Sequence, residues 1–478
     1  MLTVFPKKTK RKLRKSNKEF SRGLAIPFVL VFGAILAMIL TSLMGYVAYR
    51  YDQSVRQIAK SNSLQAAEAG LNYYYWYVLH TLEGKTSAQT DAYWANTPLG
   101  IPSYQGSLKN QSGTVIAYYK IEVTPPARGS TVILVKITGW DANFPDLRRE
   151  IDARLRKPSW SEYTVIANDI MRFGEGTEIW GPIFSNNGVH FDGVAHNLVS
   201  SNIPTTYYDP DYSAYKPGVW TSKPDESQVF LAGKLFPTPL KDFNKIAVDF
   251  GTTKLSSNPS QGGFYLAKLS KSSDCGYHII LETTNKFKVY KVTSCNSVYF
   301  NINKETYVNE YTMPSNGLIF IEDHLWIEGA ISNKHLTVVA ADTSGADPAN
   351  IYLFKDINYT YDDGRDVLGL VAQNNITVTL NSNNVLNIHA ALIAQSGRIG
   401  RDYYTSSDSS TYYKRNTINV TGALATNRRY GFAWTCGAGT YCSGYNIRNI
   451  IYDNNLLYYP PPFFPTGDHY SLDLWEEK

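Results

Sequence analysis

The residues best suited to chemistry lie in the stretch "YTYDDGRDVLG", where Asp362, Asp363 and Asp366 fall within five positions beside Gly364. Three carboxylates on a glycine-containing turn resemble the oxygen ligand sets that bind Ca²⁺. The spacing lacks the twelve-residue loop and the terminal Glu of an EF-hand, and a solvated turn explains the same residues. We keep these three aspartates as candidate Ca²⁺ ligands, and we expect no other metal or cofactor.

No other group of side chains in the sequence indicates catalysis. The eight histidines are scattered, and there is no H-E-x-x-H, G-x-S-x-G or P-loop motif. Polysaccharide lyases and hydrolases built on β-helices need clustered Asp, Lys, Arg or His for acid and base work. We therefore predict that the chain has no catalytic residues and is not an enzyme.

The four cysteines form two pairs that are close in sequence, Cys275 with Cys295 and Cys436 with Cys442. Neither pair has C-x-x-C spacing, and no histidine lies at the distance of a zinc ligand. In a body exported from the cytoplasm, this pattern favours two local disulfides. Four unrelated buried thiols are the alternative.

Positive charge is concentrated at the N-terminus, before an apolar segment. The 478 residues carry a formal net charge of +5, but residues 1–23 hold nine Lys or Arg and one acid, which leaves residues 24–478 at about −3. A basic tail can bind nucleic acid, but directly before an apolar span it more often marks the cytoplasmic side. We predict a cytoplasmic leader over residues 1–23 and no nucleic-acid partner.

The segment "GLAIPFVLVFGAILAMILTSLMGYVAY", residues 23–49, contains no charge. As a helix it is about 40 Å long, more than the ~30 Å hydrocarbon core of a bilayer. It is also longer than the h-region of a signal peptide, about 7–15 residues. We predict one transmembrane helix over residues 24–49, with the short N-terminus in the cytoplasm and the body outside it.

Residues 50–83 continue as a helical stem, because their apolar positions recur at steps of three, four and seven. These positions are Val55, Ile58, Leu64, Ala67, Leu71, Tyr74, Tyr75, Val78 and Leu82. We expect one helix from the membrane to about Leu82, with its outer half packed on β-structure. Two helices separated near residues 61–63 are the alternative.

The basic leader ending in Gly23, the apolar span and the later "QAAEAG" resemble the N-terminal region of PilX-type type IV pilus assembly proteins and minor pilins. The resemblance covers residues 21–72. It implies that a prepilin peptidase cuts after Gly23, that Leu24 becomes the N-terminus, and that the exposed helix packs into a pilus. Pilins usually carry Glu at the fifth mature position, where this chain has Phe28.

Residues 84–160 contain three predicted strands, "GTVIAYYKIEVTPP", "STVILVKITGW" and "LRREIDARLRKP". The resemblance implies a pilin-like antiparallel sheet that lies on the C-terminal half of the helix.

The body, residues 161–478, repeats a turn five times, in passages that start at Gly181, Gly329, Gly369, Ala390 and Gly422. Each passage has an apolar pair, an Asn or Gln and a short turn, after which the apolar alternation resumes. This pattern suits the corner of a β-coil, where Asn can adopt left-handed geometry and stack on the Asn of the neighbouring coil. The repeats therefore predict a β-helix or solenoid-like body. An irregular β-sandwich is the alternative.

Two further segments of the body break this pattern. Strongly alternating strands predict an inserted hairpin module at about residues 262–302, stapled by Cys275 and Cys295. The proline-rich tail is expected to lie along the body, with Phe463, Phe464 and Trp475 packed against it.

We therefore predict an α+β, mostly β chain: a long transmembrane helix with an amphipathic extension, a small antiparallel sheet, and a large β-helix-like body. The predicted function is that of a membrane-anchored, pilin-like protein in type IV pilus assembly or surface adhesion. Its expected partners are the membrane, other pilins or pilus assembly proteins, and a surface polysaccharide or host-cell receptor. We expect it in the cytoplasmic membrane, or incorporated into pili. The alternative is a membrane-anchored β-helix protein that binds or processes carbohydrate.

Overall fold

The computed structural model describes residues 25–83, 85, 87–96, 104–126, 131–244, 248–271, 273–345, 347–436, 440–467 and 469–478. Its first element is the helix α1, Ala25–Leu82, which has 58 residues and is about 87 Å long at 1.5 Å per residue. The helix continues through residues 61–63, so the alternative of two separate helices is not observed. A short helix α2, Ser87–Asn96, follows.

The second half of α1 lies on a five-stranded antiparallel sheet. Its first four strands are β1 (Tyr104–Lys109), β2 (Val115–Thr124), β3 (Ile133–Asp141) and β4 (Arg148–Arg156). The predicted strands correspond to β2, β3 and β4. The fifth strand, beside β4, comes from the end of the chain, Ser471–Glu477.

Short strands build the first part of the body. They are β5 (Val165–Ala167), β6 (Met171–Phe173), β7 (Thr177–Trp180), β8 (Ile183–Ser185), β9 (Val189–Phe191), β10 (Val194–Ala195), β11 (Val199–Ser201), β12 (Thr206–Asp209), β13 (Ala214–Pro217), β14 (Val219–Trp220) and β15 (Lys234–Leu235). The helix α3, Phe250–Ser256, then precedes the second part.

The second part has longer strands. They are β16 (Phe264–Leu266), β17 (Gly276–Glu282), β18 (Lys286–Cys295), β19 (Ile302–Thr312), β20 (Leu318–Ile321), β21 (Leu325–Ile331), β22 (His335–Ala340), β23 (Ile351–Leu353), β24 (Ile357–Tyr359), β25 (Val367–Ala372), β26 (Ile376–Val378), β27 (Val385–Ala394), β28 (Ile399–Arg401), β29 (Lys414–Thr426), β30 (Ala433–Cys436) and β31 (Thr440–Tyr452). The strand that joins the N-terminal sheet, Ser471–Glu477, is β32.

Most body strands pair in parallel and stack as coils with three faces. On the first face, paired residues form one column: Phe264, Ile319, Val338, Leu370, Leu392, Leu424, Val165, Ile183, Val199 and Lys234. On the third face the column is Leu281, Gly329, Ile357, Ile388, Val420, Ile450, Ile179 and Ala195. The apolar members of both columns are buried inside the coil and form one continuous core, except for the half-buried Phe264, which packs against that core.

The second face is interrupted. One ladder joins Tyr277, Leu325, Ile351, Ile376 and Ile399, and a separate three-stranded ladder joins β6, β9 and β14. Between them, in the part of the chain that the structure describes, one isolated bridge connects Gly400 to Gly431.

The coils do not stack in chain order. β5, the first strand of the body, pairs with β29, which comes about 250 residues later. The coils built from β5 to β15 therefore extend one end of the stack, and β16 lies near the opposite end. The connection between β15 and β16 spans nine strand spacings, about 43 Å at 4.8 Å each. It covers the outer side of the first face, where Phe243 and Val248 pack with Trp160 and Phe184.

The predicted fold class is confirmed: a long N-terminal helix, a small antiparallel sheet and a large, mostly β body whose strands stack in parallel. Four of the five repeated passages place their apolar pair in the first-face column, at Ile183, Leu370, Leu392 and Leu424. The passage from Gly329 lies on the third face instead. Near the predicted insertion, β17, β18 and β19 form an antiparallel sheet over Gly276–Thr312.

Candidate functional site

The first half of α1 exposes a continuous apolar surface. Within the described residues, α1 is the one helix that is long and apolar enough to cross a membrane. None of its most apolar 18-residue segment is buried against the rest of the protein. Phe28, Phe32, Met38 and Met44 are each more than half exposed. Phe28 and Pro27 both lie inside the helix, where a proline in the first turn removes no intrahelical hydrogen bond. The predicted processing residues Gly23 and Leu24 lie outside the described residues.

The second half of α1 packs on the N-terminal sheet from Ala59 onwards. Its buried side chains are Ala59, Ser63, Ala66, Ala67, Leu71, Tyr74, Val78 and Leu82. This face agrees with the sequence pattern from Ala67 to Leu82. Nearer the membrane the buried face differs from the predicted one. Ile58, a predicted packing position, is 58% exposed, and Ala59 is buried instead.

Small residues allow the helix and the sheet to approach closely. Ala66, Ala67 and Gly70 of "QAAEAG" face the sheet, and Gly139 of β3 lies against the helix backbone. A Cβ atom at Gly139 would lie 2.1 Å from the carbonyl oxygen of Ser63 and 2.7 Å from the amide nitrogen of Ala67. The motif that carries the sequence resemblance is therefore the contact surface between stem and sheet.

Polar contacts fix the height of the helix on the sheet. The hydroxyl of Ser63 donates to the carbonyl of Leu147 at 2.6 Å, and the Asn62 side-chain amide donates to Asp141 Oδ2 at 2.8 Å. Asp141 also accepts from the backbone amides of Asn143 and Phe144, so it is held by its own turn.

The end of the chain is fastened to this sheet by an ion-pair cluster. Asp473 of β32 accepts two hydrogen bonds from Arg154, at 2.9 and 2.8 Å, and also pairs with Arg156. Arg156 pairs with Glu162 at 2.7 Å as well. Burial lowers the pKa of Arg156, but the two carboxylates outweigh it and the pKa is raised overall. Sequence patterns did not identify this cluster, because Asp473 is more than 300 residues from the other three members.

The three candidate metal ligands are in one turn but point to different partners. Asp363 forms a salt bridge with Arg365 at 2.8 Å, and Asp362 lies 3.4 Å from His389 Nδ1. Asp366 is buried and accepts from the backbone amides of Lys334, Thr360 and Tyr361. In the part of the chain that the structure describes, no group of three His, Cys, Asp or Glu side chains is arranged to hold a metal ion. Ca²⁺ binding stays a prediction without a converging ligand set.

Both predicted disulfides are present. Cys275 and Cys295 connect the start of β17 to the end of β18, and Cys436 and Cys442 join β30 to β31. The first closes the antiparallel sheet, and the second lies beside the interruption of the second face.

No protein-family model matches the chain, and no curated protein matches it. Among solved structures it is similar to the crystal structure of the competence-associated pilin ComZ from Thermus thermophilus, with 12% sequence identity and a TM-score of 0.27. The match covers 88% of this chain and 98% of that one. A likeness at this TM-score supports no inference about this chain, whose own helix, sheet and body are the basis for any functional assignment.

Proposed function

We propose that the chain is a membrane-anchored, pilin-like subunit that takes part in type IV pilus assembly or surface adhesion. One observation supports this most strongly: α1 has two halves with opposite packing. Its second half is buried on an antiparallel sheet, whereas its first half is apolar and exposed. A helix of this kind has one end fixed to its own body and the other free to pack against lipid or other helices.

In this proposal the chain works by assembly and not by catalysis. Before assembly, the first half of α1 lies in the bilayer, which satisfies its apolar side chains without protein contacts. During assembly it exchanges lipid for the helices of other pilin-type subunits. The body, attached through the N-terminal sheet, is displayed outside the membrane.

Cysteine crosslinking in the native cell tests the helix-packing role. All four native cysteines are in disulfides, so a new thiol reacts alone. Leu36→Cys lies on the exposed half of α1, and we expect it to crosslink to pilin-type subunits. Ala67→Cys, which is fully buried against the sheet, is the matched control and should give no intermolecular product. Absence of crosslinks to any pilus protein from Leu36→Cys and from neighbouring exposed positions would overturn the proposal.

The processing step has its own test. N-terminal sequencing of the membrane-extracted protein should find Leu24 as the first residue, and Gly23→Asp should leave the leader attached. An intact Met1 in the native protein would exclude prepilin processing and leave a permanent anchor.

A further inference from the structure

A cleft lined with arginines opens where the second face of the body is interrupted. It has a volume of about 560 Å³. On one side it is bounded by Gly431, which is bridged to Gly400 at the end of the Tyr277-to-Ile399 ladder, and on the other side by the separate ladder of β6, β9 and β14. Because the two ladders do not pair here, the space between them is lined by side chains from distant parts of the chain.

The cleft is strongly cationic. Five arginines line it, against the two carboxylates of Asp169 and Asp211 in the lining and that of Asp402, which lies 4.0 Å from Arg398, whereas residues 24–478 as a whole carry about −3. Asp211 is shared, because Arg172 lies 3.2 Å from it and Arg429 lies 2.5 Å from it. Arg428 is exposed and has no acidic partner among the described residues. The site therefore holds more positive charge than its own carboxylates neutralise.

Two residues that line the cleft each contain a buried polar atom without a hydrogen-bond partner within the described structure. These atoms are Nε of Arg172 and the hydroxyl oxygen of Tyr430, a residue that is 4% exposed. Both atoms are shielded from solvent, and the Tyr430 ring packs in the core of the coil against Phe173 and Phe432. A ligand in the cleft would therefore be bound by the exposed groups of the lining and not by these two atoms.

The mouth of the cleft carries an aromatic surface. Trp434 lines the cleft and is 36% exposed, and its indole nitrogen is fixed by the carbonyl of Arg401 at 3.0 Å. Tyr403, 48% exposed, packs edge-on against it at 5.9 Å between ring centroids. A fixed aromatic face beside guanidinium groups can bind the apolar side of a sugar ring while arginines take its acidic substituent.

We propose that this cleft binds an acidic oligosaccharide whose sugars carry carboxylate groups. Guanidinium forks bind carboxylates in bidentate geometry, and the carboxylate of Asp169 accepts hydrogen bonds from sugar hydroxyls. The volume lies in the usual range of 300–1,000 Å³ for small-ligand pockets and suits a few sugar rings. This proposal does not depend on pilus assembly, because binding is measured on the purified chain.

The surroundings favour a sugar acid over a nucleic acid. A phosphate backbone has no hydrogen-bond donors for carboxylates and needs a long basic track. Here the adjacent cavity, which shares Thr177 with the cleft, is lined by Glu175, Glu178, Asp192 and Asp225. An extended polyanion of either kind that left the cleft on that side would meet acidic groups, so the site suits a short acidic ligand held within the cleft.

Calorimetry on the full-length, detergent-solubilised chain tests the assignment. The probes are a galacturonate tetrasaccharide, a neutral glucose tetrasaccharide and a single-stranded oligonucleotide. We expect saturable binding of the galacturonate probe, with the neutral sugar and the oligonucleotide at least about 10-fold weaker. Loss of one charge-assisted contact typically weakens binding about 10-fold or more, and Arg428→Gln should show this effect.

Two variants separate binding from folding. Gly431→Leu should abolish binding by filling the cleft, since a Cβ atom at Gly431 meets nothing within 4 Å. Arg365→Gln, at an exposed arginine in another turn, is the matched control and should bind as the native chain does. The proposal is overturned if both cleft variants bind galacturonate normally, if the neutral sugar binds equally well, or if the oligonucleotide binds more tightly.

Discussion

At the residue scale, the repeated Asn and Gln residues hold covering segments to the coil. The side-chain amide of Asn186 exchanges two hydrogen bonds with the backbone of Lys241, at 2.6 and 2.9 Å. Gln373 bonds in the same way to the backbone of Asp342, and Gln395 to Val248. Each side-chain amide thus donates to a backbone carbonyl and accepts from a backbone N–H, as a neighbouring strand would, at a point where the ladder ends. Of the motif residues, only Asn333 has the left-handed geometry that the sequence suggested.

Asp342 shows how such a corner makes stability depend on pH. Its carboxylate is buried and accepts hydrogen bonds from Lys268 at 2.7 Å, from Ser344 and from the amide of Asp347. Burial opposes ionisation, but these donors outweigh it and hold the pKa of Asp342 well below its ordinary value of 3.8. The carboxylate therefore stabilises the fold above about pH 4, and this contribution is lost as the pH falls towards the lower folded-state pKa.

We accordingly expect Asp342→Asn to lower the free energy of unfolding at pH 7 by about 1.5–3 kcal/mol, the range for hydrogen bonds to a charged group. The difference from the native chain should narrow below pH 4. Thermal unfolding of the solubilised chain at pH 7 and pH 3 measures this. Asp146→Asn, at an exposed aspartate, is the control and should change neither value. A difference that stayed constant with pH would contradict the assignment.

At the element scale, Gly139 determines how closely α1 lies on the sheet. The space that a Cβ atom would need at Gly139 is occupied by backbone atoms of the helix. Backbone cannot rotate away as a side chain can. We expect Gly139→Ala to push the helix outwards and to cost about 1–3 kcal/mol, as for overpacking in a core. The bond from Ser63 to Leu147 should weaken with it. Gly467→Ala, whose nearest contact would be an ordinary 3.6 Å, is the matched control, and equal melting temperatures for the two variants would refute this role of Gly139.

The strand β32 depends on its buried charges. Asp473 is 16% exposed and both arginines are 8% exposed at the side chain. Removing the carboxylate leaves the buried Arg154 without an acidic partner and leaves Arg156 paired with Glu162 alone. We expect Asp473→Asn to cost about 3–5 kcal/mol and to release β32, seen as faster amide exchange over Ser471–Glu477. Glu477→Gln on the same strand breaks only the exposed pair with Arg149 and should cost less than about 1 kcal/mol. Equal exchange in the two variants would show that pairing with β4 alone holds the strand.

Sequence patterns were informative where an element is long and were not where partners are distant. The uncharged run of residues 23–49 and the apolar period that follows it predicted the 58-residue α1, and β2 and β3 alternate clearly. Trp475 was expected to pack on the body, but it lies in β32 and is 44% exposed. The arginine cleft was not predicted, since its residues come from five separate segments. The adjacent Arg428 and Arg429 are the one local sign of it.

At the scale of the whole molecule, the order of the coils is the property that sequence could not supply. Three-residue strands such as β5 and β8 contain too little information to specify a partner, so proximity in sequence is the natural assumption. The structure instead brings the start of the body to the middle of the stack. From β5 the coils stack towards one end of the body, which is reached at β15. The chain then crosses to β16 at the opposite end, and the following coils stack back until β29 pairs with β5.

This order predicts a specific pattern of amide exchange. β29 has parallel neighbours on both sides, and β5 lies between β29 and β8, so both should open only with the whole body. Within the described residues, β15 pairs only with β11 and β16 only with β20, so both should open locally. We expect amide exchange to be about 100-fold slower in β5 and β29 than in β15 and β16, which corresponds to a difference of about 3 kcal/mol in the free energy of opening. If the coils stacked in chain order, β15 and β16 would be interior neighbours and β5 would be an end strand. Hydrogen exchange read by mass spectrometry distinguishes the two arrangements, because protection of β15 and β16 with rapid exchange in β5 is the opposite of what this stack predicts.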